Sequence, residues 1–415
     1  MAFLESVKNL IANRSAGEKS PKKKLRHYGN TLDVSLILMV GLLLVFGLLM
    51  IYSASSYEAN LDFGDSAYYF KRQAQAVVFG LVAMVLVGLF MPSRFLDKFK
   101  VPIIVFSFVL VMLLPVVGHT VKGATRWIRI GSLSIQPAEF VKIAIIIFEA
   151  VYIRKYMYLL HTWKGWLYSL IVPGVGLLFV RVFSNNLSSG IIIFLIGFFM
   201  VFIAARDYKK YVFLVLTALI VVVIIRFSFA RVDLKNSNMG FRGGRIVAWL
   251  DPEANSDDIG YQTLQSLYAI GSGGLTGKGL GQSVQKMNFI PEAQNDMIFS
   301  IICEELGLVG AGIVFLMYIG LIGRMFFIAR ATRDLYKAML VVGVMMHITV
   351  QVLLNVAVVT NLIPNTGVSL PFISYGGTSV TLLLAEVGFV LAVQRENVYE
   401  EEVRLAKKMA EEEAE

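Results

Sequence analysis

The sequence predicts an all-α polytopic membrane protein, with about ten transmembrane helices and a large extracellular loop between the seventh and the eighth. Composition comes first: of 415 residues, 57% are hydrophobic and 16% charged, and the mean hydropathy is +0.69. That leaves too few charged side chains to clothe a soluble domain of this length. Second, apolar runs near the ~20 residues needed to cross the hydrocarbon recur along the whole chain. Third, short basic clusters separate these runs, as orientation in a membrane requires.

The expected spans are residues 33–54, 73–91, 101–117, 137–154, 165–183, 189–205, 210–228, 296–328, 337–362 and 379–394. The first is too long for a signal-peptide core and nine more follow it, so it reads as an anchored span. The run 137–154 opens with polar residues and the last run is short. Lys22, Lys23, Lys24 and Arg26 precede the first span, and Arg94, Lys98 and Lys100 follow the second. Arg206, Lys209 and Lys210 follow the sixth, and Arg324, Arg330 and Arg333 the eighth. Those segments are cytoplasmic by the positive-inside rule, and an even number of spans puts both termini there too. The chain thus divides into a basic N-terminal segment (1–32), a membrane domain (33–395) and a charged tail (396–415) that reads as a solvated helix. Topology already explains the net charge of +9, so nucleic acid is not an expected partner. A single cysteine, Cys303, excludes an intrachain disulfide and the two-cysteine metal motifs, and the four histidines are scattered.

Two extracytoplasmic stretches depart from this pattern. Residues 118–136, "GHTVKGATRWIRIGSLSIQ", place Lys122, Arg126 and Arg129 on the side where positive charge is sparse. Lys122 and Arg126 suit a lipid-linked anionic group whose hydrocarbon stays in the bilayer, and the plainer alternative is snorkelling to lipid phosphates in general. Residues 229–295 form a long loop whose aromatic and aliphatic content argues against disorder. Within it, "GSGGLTGKGLGQS" is not a nucleotide P-loop, because that motif ending at Lys278 needs glycine at 272 and Ser or Thr at 279, where the chain has Ser272 and Gly279. Its glycines fit a backbone approach to phosphate or a re-entrant turn.

The most informative stretch is "FIPEAQNDMIFSIICEELG". Pro291 suits a first helical turn, and a spacing of four puts Glu292 and Asp296 on one helix face at the outer membrane boundary. Two acids there complement the helix macrodipole whether or not they do chemistry. Glu304 falls about 12 Å deeper at helical rise, where an acid needs a partner or a function. Glu304 and Glu305 read best as acceptors for neighbouring helix ends or basic side chains. Near the C-terminus, "NLIPNTGVSLPFISYGGTS" carries Pro364, Pro371, Gly376 and Gly377. Irregular backbone at membrane depth implies a cavity or a protein cover.

Four segments, "GATRWIRIGSLSIQPAEFVK", "GYQTLQSLYAIGSGG" continuing to "GKGLGQSVQK", "PEAQNDMIFSIICEELG" and "GVSLPFISYGGTS", resemble in order the signatures of the SEDS family (shape, elongation, division and sporulation). They are closer to its FtsW/SpoVE branch than to RodA, and "GLLMIYSASS" with "YYFKRQ" fits as well. The resemblance implies a ten-helix peptidoglycan glycosyltransferase of the bacterial cytoplasmic membrane. Such an enzyme polymerises lipid II, a disaccharide-pentapeptide on undecaprenyl pyrophosphate, at the outer face. It works with a class B penicillin-binding protein and with divisome or sporulation proteins.

The family's essential aspartate falls on Asp296, expected as general base, with Glu292 as a supporting or metal-binding acid. Lys122, Arg126 and Arg245 are expected to contact the pyrophosphate. Further substrate-binding candidates in the matched segments are Trp127, Gln136, Glu139, Gln262, Gln265, Lys286, Ser374 and Tyr375. An α-linked donor and a β-linked polymer imply inversion by direct displacement, and a divalent cation (Mg or Mn) is compatible with this. Two departures stand out. Many members have His-Thr before the aspartate, where this chain has Gln294 and Asn295, and a Gln-Pro-Asp triplet is here Ser184, Asn185 and Asn186. The alternatives are a lipid II flippase, which would favour spans interrupted at matching positions of two repeated halves, and a non-catalytic scaffold that recruits a transpeptidase.

Overall fold

The computed structural model describes residues 32–121, 124–131, 133–205, 216, 220, 245, 249–253 and 260–412. In chain order its elements are α1 (Val34–Phe63), α2 (Tyr68–Phe90), α3 (Ser93–Lys98), α4 (Lys100–Met112), α5 (Leu114–Val117), β1 (His119–Val121), β2 (Ala124–Ile130) and β3 (Leu133–Ile135). They continue with α6 (Pro137–Tyr156), a 3-10 turn (Met157–Leu159), α7 (Trp163–Ser169), α8 (Ile171–Phe183), α9 (Leu187–Ala204), α10 (Tyr261–Gly273), α11 (Ile298–Ala331), α12 (Leu335–Val359) and α13 (Gly377–Glu412).

Seven described helices, counting α7 and α8 as one, are long and apolar enough to cross a membrane: α1, α2, α7–α8, α9, α11, α12 and α13. The protein is therefore a polytopic helical membrane protein. The expected span 101–117 appears as α4, a shorter apolar helix, followed by α5 with Pro115. The expected span 137–154 is α6, whose Glu139, Lys142, Glu149 and Arg154 disguise it by composition. Most of α6 is buried, Glu139, Lys142 and Glu149 included, because it packs among α4, α9 and α12, while Arg154 is exposed at its end. The expected span 210–228 lies outside the described residues apart from 216 and 220, as does Lys122.

Helix ends follow from local chemistry. Asp33 caps α1 by accepting from the Leu36 N–H at 2.9 Å, and its carboxylate also takes Arg324 Nε at 3.0 Å. The first span was expected to stop near residue 54 but runs to Phe63, ending at Gly64 with φ +68°. Its small polar residues stay helical because they face protein: Ser55 donates to the Ile51 carbonyl at 2.7 Å, and Ser53 bonds to Glu305. Asn186 and Asp334 cap α9 and α12 in the same manner as Asp33.

Neighbouring contacts fix the helix directions. Gly80 and Gly88 of α2 meet Leu384 and Leu391 of α13, so these two run parallel. Met39 and Ser53 of α1 meet Gly320 and Glu305 of α11, so those run antiparallel. One end of the bundle therefore collects Arg94, Lys98, Lys100, Arg154, Lys155, Arg330 and Arg333. The other collects the 118–136 and 260–297 segments and the 360–376 loop.

Three features were not foreseen. Residues 119–121, 124–130 and 133–135 form an antiparallel sheet of order β1-β2-β3, with Ile128 opposite Ile135, beside the helices. α13 continues unbroken past the expected boundary at residue 395. There Glu396 accepts from the Ser93 N–H at 2.7 Å and pairs with Lys337 at 2.8 Å, which ties the tail helix to the basic end. Finally, α11 is two helices merged across a break at Gly307 (φ +65°, ψ −164°).

That break seats a re-entrant hairpin made by α10 and residues 274–290. Gly274 and Leu275 carbonyls accept from the Leu308 and Val309 N–H groups at 3.0 and 3.1 Å. The Lys278 and Gly279 N–H groups donate to the Glu304 and Glu305 carbonyls at 3.0 and 2.9 Å. Of the two readings of the glycine-rich stretch, the structure shows the re-entrant turn. Side chains reinforce it. Lys278 pairs with Glu304 at 2.6 Å, and Val284 and Gln285 N–H groups bond to the same carboxylate. Lys286 pairs with Glu305 at 2.8 Å, and Ser53 donates to Glu305 at 2.7 Å. Glu304 and Glu305 are thus acceptors for basic side chains, as the sequence suggested.

Two predictions follow from this junction. A Cβ at Gly307 would lie 2.4 Å from the Gly277 nitrogen, and φ +65° is itself unfavourable for alanine. Gly307→Ala should cost at least about 1–3 kcal/mol, read as a lowered unfolding temperature of the detergent-solubilised protein. Glu305→Ala leaves Lys286, 6% exposed, as a buried cation without its partner. It should lose roughly 3–5 kcal/mol, whereas an exposed pair such as Lys408–Glu412 should be nearly neutral on substitution.

Candidate active site

The hairpin delivers the chain to Pro291, and from there residues 291–297 turn into α11. This corrects the expected helix. Glu292 has φ +53°, the helix begins only at Ile298, and Glu292 and Asp296 do not share a helix face. A chain arriving from the hairpin has to reverse direction before it can enter α11, and Glu292 takes the reversed dihedral. Its carboxylate accepts from Asn295 Nδ2 at 2.8 Å, and the Asn295 N–H closes the turn on the Glu292 carbonyl at 2.9 Å.

Asp296 sits half-buried at the last corner of this turn. Its backbone carbonyl accepts from Asn355 Nδ2 at 2.8 Å, and the same amide group bonds the Val368 carbonyl at 2.7 Å. Asn355, fully buried in α12, thereby pins the Asp296 turn to the 361–376 loop. The carboxylate faces Gly367, where an added Cβ would stand 3.5 Å from Oδ2. Gly367 has φ +67°, and the Asn365 side chain accepts from its N–H at 3.1 Å.

The same loop gathers other candidates. Arg245 Nη1 donates to the Asn365 carbonyl at 3.2 Å, Asn365 Nδ2 to Gln262 Oε1 at 3.0 Å, and Gln262 Nε2 to the Pro291 carbonyl at 3.2 Å. Trp249 Nε1 donates to the Asn361 carbonyl at 3.1 Å. On α10, half-buried Gln265 precedes Ser266, whose hydroxyl donates to the Val359 carbonyl at 3.1 Å. Tyr375 donates its N–H to the Gln294 carbonyl at 2.9 Å, and Ser374 Oγ accepts from the Leu370 N–H at 2.7 Å. Gln73 of α2 fastens the segment, donating to the Ser374 carbonyl at 3.4 Å and accepting from the Gly376 N–H at 3.0 Å. Burial raises the Tyr375 phenol above its ordinary value, with Arg72 opposing and Tyr68 adding. The group is therefore a neutral hydrogen-bonding phenol at physiological pH.

Asp296, Glu292, Gln262, Arg245, Ser374 and Tyr375 are thus brought to one place. Arg126 and Trp127 lie on adjacent positions of β2, so strand alternation sends them to opposite faces. The sheet is joined to the site's rim by Thr378, which donates to the Ser134 carbonyl. Gln136 precedes α6 and Glu139 lies in its first turn, where Glu139 is buried against Lys142 at 2.7 Å and accepts from Ser379 at 3.4 Å. Lys286 is placed elsewhere, in the Glu305 pair at the hairpin's root.

The departures from the family pattern have local roles. Asn295 holds Glu292 and Asn186 caps α9, whereas the buried Gln294 accepts from Tyr375 through its backbone carbonyl, which any residue supplies. Next to it, Ser188 donates to the Thr366 carbonyl, joining α9 to the Gly367 loop. Sequence reasoning passed over Asn355, Asn365, Gly367 and Gln73. For Asn355 and Gln73 the available signal was an amide inside an apolar helix, a residue type that seldom sits at membrane depth without bonding a neighbour.

Comparison with known proteins agrees with this architecture. The FtsW/RodA/SpoVE family of cell cycle proteins matches residues 33–399. The chain is 37% identical over 373 residues to the stage V sporulation protein E of Bacillus subtilis (strain 168), covering 88% of this chain and 98% of that protein. It is 34% identical over 365 residues to the probable peptidoglycan glycosyltransferase FtsW of Trichlorobacter lovleyi, covering 87% and 92%. Among solved structures, a chain of a peptidoglycan synthase complex that coordinates polymerization and crosslinking superposes with a TM-score of 0.71 at 24% identity, covering 88% of this chain and 98% of that one. The rod shape determining protein RodA of Thermus thermophilus does so with a TM-score of 0.61 at the same identity and coverage. The chain belongs to the FtsW/RodA/SpoVE family.

Proposed function

We propose that this protein is a peptidoglycan glycosyltransferase that polymerises lipid II at the outer face of the bacterial cytoplasmic membrane, for division or sporulation. The observation that carries the reading is the Asp296 turn. A half-buried carboxylate, pinned through Asn355 and facing Gly367, stands at the bundle end opposite the basic residues. Relatives that match nearly the whole chain are named as such transferases.

By the positive-inside rule the end with Arg94, Lys98, Arg330 and Arg333 is cytoplasmic, so Asp296 faces outward and both termini lie inside. The shorter apolar helix α4, the charge-bearing helix α6 and the apolar run 210–228 of the sequence complete ten spans. Joining a sugar hydroxyl to an anomeric carbon with loss of a lipid diphosphate needs a base for the hydroxyl and cations for the leaving group. Asp296 is the base and Glu292 its supporting acid. Lys122, Arg126 and Arg245 meet the diphosphate, and attack opposite the leaving group inverts the donor carbon.

Glu292 and Asp296 provide two carboxylates, which suits a magnesium-class ion that takes its remaining oxygens from substrate and water. Among the described residues no group of three or more His, Cys, Asp or Glu side chains is arranged to hold a metal. Such an ion would share the diphosphate charge. A class B penicillin-binding protein is the expected partner, since a strand made here requires crosslinking.

With purified protein, its partner and lipid II, Asp296→Ala should lower strand formation by at least about 10²-fold while leaving the melting profile and partner binding intact. Polymerisation at the normal rate by that variant would remove the base assignment. Arg126→Ala and Lys122→Ala should each weaken lipid II capture roughly tenfold, measured by pull-down on labelled substrate. Unchanged capture by both would argue against the diphosphate contacts.

A further inference from the structure

The turn between α1 and α2 bears a shelf of aromatic rings beside the Asp296 loop that the proposed reaction leaves without a task. Phe63 stacks on Tyr68 with centroids 3.8 Å apart and 12° between planes. Tyr69 meets Phe63 and Tyr68 edge-on at 5.9 and 5.5 Å, and meets Tyr375 edge-on at 5.1 Å. The Arg72 guanidinium lies 4.8 Å over the Tyr68 ring. Phe63 is 49% exposed, and Tyr68, Tyr69 and Tyr375 are half-buried.

The shelf is fixed to the site twice, through the Tyr375 N–H on the Gln294 carbonyl and through Gln73 on Ser374 and Gly376. Glu58, Asp62 and Glu292 all lie within electrostatic reach of Tyr69. Asp65 is occupied by Lys71 at 2.8 Å.

This chemistry selects a ligand class. The three carboxylates near Tyr69 outnumber the one guanidinium, Arg72, which disfavours a diphosphate. A pyranose, by contrast, offers a C–H face to a flat ring and a rim of hydroxyl and amide groups to acids, phenols and a guanidinium. We propose that Phe63, Tyr68, Tyr69 and Tyr375 form a saccharide subsite that holds an amino-sugar unit against the Asp296 loop. The inference rests on the glycosyltransferase reading. Two sources present the same chemistry, the lipid-linked disaccharide before reaction and the glycan strand after it.

The test uses the full-length protein in detergent or nanodiscs. Saturation-transfer NMR with two soluble probes, the disaccharide-pentapeptide lacking its lipid diphosphate and an uncrosslinked glycan tetrasaccharide, should show transfer to sugar ring protons. Phe63→Leu keeps apolar bulk at the membrane boundary but removes the ring, and should weaken binding by roughly threefold to tenfold. Phe63→Tyr should retain it. In polymerisation assays the same factor should appear as a raised KM for lipid II if the monomer is held, or as shorter strands at an unchanged initial rate if the polymer is held. Binding, KM and strand length all unchanged in a Phe63→Leu protein of wild-type melting temperature would mark the rings as interfacial anchors and overturn the proposal. An active wild-type enzyme that binds neither probe would overturn the subsite alone, whereas full activity of Asp296→Ala strikes the base assignment and leaves the binding result standing.

Discussion

The hairpin at the Asp296 end of this molecule hangs on two fully buried carboxylates. No water inside a bilayer bonds a stray acid or a frayed backbone, so Glu304 and Glu305 are tolerable only because protein saturates them. Glu304 takes Lys278, Ser283 and two backbone N–H groups, and Glu305 takes Lys286 and Ser53. Their backbone carbonyls, left open by the break at Gly307, accept from Lys278 and Gly279. Charge and main chain are thus satisfied by the same few residues of the same hairpin. Without this junction neither the hairpin nor the helix break would be stable, and the turn that carries Asp296 would rest only on Asn355, Gln262 and the Tyr375 segment.

The membrane architecture was readable because its signal is redundant. Length, hydropathy and the placement of basic residues all report the same alternation, and every described span falls within about five residues of expectation except at the far ends of α1 and α13, which run on. α1 shows why the exceptions occur. Ser53 and Ser55 look like the end of a span by composition, but each finds a partner inside the bundle, so the helix continues to Phe63. α6 is the opposite case, a charged helix that belongs at the centre because Glu139 carries Lys142 beside it.

The site was legible as chemistry but not as geometry. Asp296 and Glu292 stand out as acids beside an apolar run, and spacing alone made them helical neighbours. The helix was prevented by a tertiary demand, the reversal at Glu292 out of a hairpin that pairs with α11, which no local window contains. Asn355 and Gly367 were missed for the same reason, since each matters only through a partner distant in sequence. The sheet at 119–135 was hidden because its strands are three to seven residues long, and its alternation of cations and aliphatics reads equally well as surface decoration.

α13 has a mechanical consequence. It starts at Gly377, directly after the glycine that Gln73 holds, lies along α2 through the membrane, and extends about 26 Å past residue 395 at helical rise. An unbroken rod of this kind resists bending, so a pull or twist on its far end reaches the Tyr375 segment with little lost on the way. Clamped midway by Ser93 and Lys337, it has a fulcrum at the basic end of the bundle. Whatever grips the tail at the basic end therefore holds a handle on the rim of the Asp296 site.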